Sequence, residues 1–239
     1  MRRWVIVSVW SVLLVLGRIE TGNCYEVVTV TNGGTLIGTV QYRGARPPRT
    51  VLEISKDQNV CGHTEKVNES LIVGEDRGVQ NAVVSLTTIE RGKAFPVTGV
   101  TIDQRECRYT PHVVLVPVGG EVSILNTDGI LHSIRTHSSH NPPLNKAQPK
   151  FKKIIKETFP LPEVIQISCD AHAWMSGWLI VTAHPYYAVT DPHGRFRLEH
   201  IPAGEYEVQV WHESLSEQRQ RLKISAKASA TLNVELTAP

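Results

Sequence analysis

A cysteine, two histidines and a methionine carry the densest chemistry in this sequence. Cys169, His172 and Met175 fall within Cys169-Asp170-Ala171-His172-Ala173-Trp174-Met175, and His132 closes an upstream run, Asn126-Thr127-Asp128-Gly129-Ile130-Leu131-His132. A thiolate, two imidazoles and a thioether are soft to borderline donors that suit copper. A His₂Cys plane with a long axial Met is an arrangement built for one-electron transfer. The spacing fits that geometry if Cys169 ends a strand, His172 sits on the tight loop after it and Met175 closes the loop. His132 must then come from the end of a different strand. Other candidates are thinner. His137-Ser138-Ser139-His140 could hold a second metal, but two histidines in a polar loop are more often simply solvated. Cys61-Gly62-His63 could bind copper, although a disulfide is the better account of Cys61. Trp174 and Trp178 are candidate electron-path or docking aromatics, with core packing an equally good account of Trp178.

The elements that must position these donors read as β throughout. Short β-type runs follow one another with turn punctuation: Val27–Val30, Thr35–Tyr42, Gln80–Ile89, His112–Pro117, Glu121–Leu125, Leu131–Thr136, Val164–Ser168 and Trp178–Ala183. Gln80–Ile89 alternates as a half-buried strand does, and Val118-Gly119-Gly120 marks a hairpin. Thr136–Pro162 is polar, lysine-rich and proline-rich. It reads as a long functional or covering loop with at most one amphipathic turn near Phe151–Ile155. From Ala188 onward, strands alternate with tight turns at Asp191-Pro192-His193-Gly194 and Ile201-Pro202-Ala203-Gly204-Glu205. No segment carries a long helical period, so the fold class is all-β.

Two resemblances follow from these residues. Val118–His132 together with Val164–Leu179 resembles a cupredoxin, and the short C-x-x-H-x-x-M loop is similar to that of amicyanin. The resemblance implies a Greek-key β-sandwich holding one mononuclear type 1 (blue) copper. It implies His132, Cys169 and His172 as strong ligands, Met175 as the axial one, and His172 as the solvent-side electron port. Two departures stand out. Ser133 occupies the place where many cupredoxins carry an Asn that ties the ligand loops, and a shorter tether would loosen the site. Ala171 and Ala173 replace the flanking prolines of amicyanin, with Asp170 beside the thiolate, where an ionised carboxylate would favour Cu(II). The second resemblance is to the carboxypeptidase-regulatory-like, prealbumin-type β-sandwich, through Asp191, Gly194, Phe196, Pro202, Gly204 and Tyr206. These are turn and core residues and carry no activity. Gly34–Val40, Arg46-Pro47-Pro48 and Gln80–Leu86 resemble the opening strands of the same family. The expected organisation is therefore a sandwich from 24–95 and 184–239 with a cupredoxin-like copper domain, 96–183, inserted. A serial order, 24–183 followed by a small cap, is the alternative.

Length and composition agree with a folded chain: 239 residues, 41% hydrophobic and 20% charged. Met1-Arg2-Arg3 followed by the apolar run Trp4–Leu16 has the pattern of a secretory signal peptide, 1–17, with cleavage at latest near Asn23. That run is short for a membrane span, so no integral span is expected in the mature chain. The 25 basic residues face 23 acidic ones, and Arg2 and Arg3 leave with the leader. The mature chain is then neutral, and nucleic acid drops out as a partner. Periplasmic or secreted placement permits disulfides. With Cys169 reserved for metal chemistry, Cys61 and Cys107 are paired because both lie in polar, loop-like stretches, and Cys24 is left near the mature N-terminus. The expectation is an exported electron carrier that is not an enzyme, docking redox proteins near His172 and Trp174. A copper storage or delivery protein, or a surface-binding module with a vestigial site, is the alternative.

Overall fold

The computed structural model describes residues 25–97 and 99–239; the expected leader and Cys24 lie outside the described residues. Strands β1 (Glu26–Val27) and β2 (Gly34–Tyr42) lead to a short helix, α1 (Gln58–Cys61), then β3 (Val83–Leu86) and β4 (Arg91–Gly92). A second group follows: β5 (Val100–Arg105), β6 (Arg108–Thr110), β7 (Val113–Pro117), β8 (Glu121–Asn126), β9 (His132–His137), β10 (Asn145–Gln148), β11 (Ile154–Thr158), β12 (Glu163–Ser168) and β13 (Ser176–Thr182). The chain ends with β14 (Tyr187–Val189), β15 (Arg195–Ile201), β16 (Gly204–His212), β17 (Leu215–Ile224) and β18 (Ser229–Leu236). The fold is all-β. Among the described residues no helix is long and apolar enough to cross a membrane.

Four main sheets form two sandwiches. In one, β14-β3-β16-β17 faces β15-β2-β18, around a core that includes Leu36, Val40, Val84, Leu86, Phe196, Tyr206 and Val208. Strands from both ends of the chain share these sheets, as when β2 runs parallel to β18 from Thr35↔Ser229 onward. The turn motif is structural. Asp191 accepts bonds from the His193 and Arg195 N–H groups, each at 2.9 Å. Gly194 has φ +72°, and a Cβ there would lie 2.1 Å from the Val40 carbonyl oxygen, so only glycine fits without strain.

In the other sandwich, β10-β9-β12-β13-β7 faces β11-β8-β5-β6, around Ile102, Tyr109, Val116, Ile124, Ile134, Ile165, Ile167 and Leu179. Ile54, Val60 and Cys61, from the segment between β2 and β3, pack into this same core. Thr136–Pro162 is not a structureless loop. It contributes β10 to one sheet beside β9 and β11 to the other beside β8. Both are edge strands, and each buries a single side chain, Gln148 and Ile155 respectively. That is why their lysines and polar residues hid them.

The two sandwiches touch through a third apolar cluster. Val83, Val113 and Ile180 are buried there beside Leu115, Trp178, Tyr187, Val189 and Trp211. The Trp178 and Trp211 rings meet edge-on at 5.1 Å, an arrangement that aromatic pairs favour. His112 Nε2 and Glu213 Oε1 are 2.5 Å apart in the same junction, both largely buried. This contact also corrects the half-buried reading of Gln80–Ile89: all four residues of β3 are buried, because its outer face covers the second sandwich.

Candidate metal centre

His132 begins β9, Cys169 follows the last residue of β12, and Met175 precedes β13. β12 lies between β9 and β13 and pairs with both, so the three strand ends share one pole of the sandwich. The loops are set locally. Asn126 Nδ2 donates to the Ile130 carbonyl at 2.9 Å and the Gln148 carbonyl at 2.8 Å, closing the turn that delivers His132. In the second loop the Met175 N–H donates to the His172 carbonyl at 3.0 Å, and the Cys169 N–H to the Met175 carbonyl at 3.3 Å. This small ring turns Cys169, His172 and Met175 inward.

The result is a buried triangle. His132 Nδ1 and His172 Nδ1 are 3.0 Å apart, and Cys169 Sγ lies 4.0 Å from the first and 3.8 Å from the second. A point equidistant from three atoms so spaced is about 2.1 Å from each, the length of a metal–imidazole bond and close to a metal–thiolate one. His132 and His172 are 0% exposed, Cys169 4% and Met175 1%. The donor set and its spacing fit a small transition-metal ion. A second set, Cys107, Asp128 and His132, is also close together, but Cys107 is in a disulfide and offers no thiolate.

Electrostatics within the triangle are coupled. Burial alone would push the Cys169 thiol up, but hydrogen bonds from His132, His172 and the Ser133 N–H bring it down to about 5. Burial would push the His132 imidazolium down, but Asp128 and the Cys169 sulfur outweigh it and hold the group up at about 9. The protein's own groups thus favour the thiolate, the form in which cysteine binds a metal.

Both imidazoles are held from outside. His132 Nε2 is 2.8 Å from Asp128 Oδ2, and His172 Nε2 is 2.9 Å from Asp57 Oδ2. Such carboxylates fix the tautomer and ring orientation of a ligating imidazole. Neither carboxylate is marked by the ligand motifs as a partner of its histidine. Asp128, four residues before His132, lay inside the quoted motif; no sequence signal links Asp57 to His172.

Three expectations need correction. His172 is not on the solvent side: it is fully buried. Asp170 does not direct its carboxylate at the sulfur: it is exposed and engages Arg135 at 3.4 Å and Asn145 at 3.0 Å. Ser133 does not leave the loops untied, since its N–H donates to Cys169 Sγ at 3.3 Å and its hydroxyl accepts from the Asp170 N–H at 2.8 Å. The Trp174 ring lies 5.0 Å from that of His172, and its Nε1 donates to the Cys107 carbonyl. His137 Nε2 meets the Ser168 hydroxyl at 2.8 Å, and neither His137 nor His140 belongs to a potential metal cluster among the described residues. Cys61 and Cys107 are disulfide-bonded, and both are fully buried rather than in surface loops.

Residues 178–237 match the family model of the carboxypeptidase regulatory-like domain. Solved structures similar to part of the chain include amicyanin and other copper proteins. The copper-containing nitrite reductase NirK from Thermus scotoductus SA-01 is 23% identical over 38% of this chain and 24% of its own, with a TM-score of 0.33. The chain therefore spans about a quarter of that reductase. Amicyanin from Paracoccus versutus is 19% identical over 41% of this chain and 97% of its own, at TM-score 0.32. A purple cupredoxin from Nitrosopumilus maritimus is 22% identical over 35% and 99%, at TM-score 0.27. No curated protein matches the chain.

Proposed function

We propose that this protein is an exported, non-enzymatic electron carrier whose His132 Nδ1, Cys169 Sγ, His172 Nδ1 and Met175 would hold one type 1 copper. The observation that carries this reading is the buried triangle of two imidazole nitrogens and a depressed-pKa sulfur, with a buried thioether on the same loop. When bound, copper supplies a one-electron change between Cu(I) and Cu(II). The chain's own part is to hold the donors still. Asp128 orients the His132 imidazole, Ser133 ties the loops and donates to the sulfur, and the surrounding core excludes water. Rigid donors limit rearrangement between oxidation states. Redox proteins would dock over Trp174, whose half-buried ring lies against His172. We place the 96–183 module as an insertion into the regulatory-like sandwich, which serves as its scaffold.

Copper loading and an absorption spectrum test the reading. The loaded protein is expected to show an intense visible thiolate-to-copper band that Cys169→Ser removes. A colourless Cu(II) complex, or a band surviving that substitution, refutes it.

A further inference from the structure

We infer that Asp57 is the positioning residue for His172, and that the strap carrying it, residues 51–67, closes the outer side of the metal centre. The inference rests on the copper reading above and goes beyond it, because the strap lies outside the expected 96–183 module.

The strap is a closed loop. Val51 and Val67 bridge at its base, and the Leu52 N–H donates to the Lys66 carbonyl at 2.8 Å. Within it Asp57 precedes α1 in a left-handed conformation, φ 49°, and its side chain makes no capping bond to the helix. An aspartate at a helix start ordinarily spends its carboxylate on the first free N–H groups. Here only the Asp57 backbone carbonyl serves the helix, accepting from the Val60 and Cys61 N–H groups. The carboxylate instead reaches His172 Nε2 at 2.9 Å, across 115 residues of sequence. Asp57 thus forgoes its usual local partner and supplies the bond that keeps His172 from turning.

The disulfide makes the strap part of the site. Cys61 ends α1, and its bond to Cys107 anchors the helix to the turn between β5 and β6. The Cys107 N–H donates to Asp128 Oδ2 at 2.8 Å, the same oxygen that meets His132 Nε2, and the Cys107 carbonyl accepts from Trp174 Nε1. One cross-link therefore fixes the carboxylates behind both imidazoles and the indole beside His172. A carboxylate accepts, so the Asp57–His172 contact is a hydrogen bond from the His172 Nε2–H. That hydrogen bond also places negative charge behind a ligand, which favours the more highly charged oxidation state of a bound ion.

The test compares the wild-type mature chain with Asp57→Asn, Asp57→Ala and Asp57→Glu. In the metal-free protein, side-chain imidazole NMR should find a His172 Nε2–H protected from solvent exchange, and Asp57→Ala should speed that exchange at least tenfold. Asp57→Asn keeps the size of the side chain, so it reports on the charge without opening the strap. In the copper-loaded protein, Asn and Ala should shift the reduction potential positive, and Glu should return it towards wild type. A His172 Nε2–H exchanging equally slowly in wild type and Asp57→Ala overturns the inference, as does an unchanged potential in both neutral variants. A chain that takes up no copper refutes the electron-carrier reading, while the metal-free exchange result still decides whether Asp57 holds His172.

Discussion

The bonds open to Met175 decide what its replacement does. Its side chain is buried on the loop whose backbone ring joins Cys169 to His172, so on the proposed copper reading its substitution would change one donor and leave the other three. Met175→Leu removes a weak thioether and should raise the copper potential, because Cu(II) loses more than Cu(I). Met175→Gln offers a harder oxygen and should lower it. His132→Ala or Cys169→Ala should largely abolish copper binding, since each removes a corner of the triangle. Voltammetry and metal analysis of the four variants check this, and a potential unmoved by both Met175 changes removes that residue from the site. The grouping of His132, Cys169 and His172 was legible because soft side chains stand in two short motifs. Their supports were less so. Asp128 is recoverable in retrospect, but Asp57 meets His172 only because the intervening chain folds it there. The burial of His172 was hidden for the same reason: a ligand motif does not record what the rest of the chain packs around it.

At the level of elements, the chain between β9 and β12 depends on one carboxylate. Glu163, at the start of β12, accepts bonds from the Ser138 hydroxyl, from the N–H groups of Ser139, His140 and Asn141, and from the Asn141 amide. Partial burial would raise its pKa, yet these donors outweigh it and bring the group down to about 2 from 4.5. The carboxylate is favoured in the folded state. Its stabilisation is therefore complete above about pH 4.5 and is lost as pH falls towards 2. Glu163→Gln should lower the melting temperature at neutral pH and flatten its decline between those limits, as thermal denaturation across pH can measure. Central strands such as β12 and β13 were readable because they alternate or run apolar. β10 and β11 were not, because an edge strand facing water needs only one inward residue. β5 and β6 escaped for a related reason: the two-residue turn at Glu106 and Cys107, both at positive φ, looks in sequence like the middle of a polar loop.

At the scale of the molecule, the described residues are bound together by a disulfide and by an apolar junction. The Cys61–Cys107 bond closes a separation of 46 residues. Replacing both cysteines by serine should cost about 4 kcal/mol on the chain-entropy account, read as a lower denaturation midpoint. At the junction, β3 and β16 of one sandwich meet β7 and β13 of the other through Val83, Trp211, Val113, Trp178 and Ile180. His112 and Glu213 add a hydrogen bond there, shielded from water. A contact of this kind couples unfolding, because exposing one sandwich strips the apolar cover from the other. The wild-type chain should therefore melt in a single calorimetric transition. Trp211→Ala removes the ring against which Trp178 packs and leaves a void between sheets that each retain their own core. That variant should resolve into two transitions, and the visible copper band should follow only the one that melts the 100–182 sheets. Wild-type protein with two well-separated transitions, or a Trp211→Ala variant with one unshifted transition, would show that the sandwiches are merely adjacent and that the scaffold does not stabilise the metal centre.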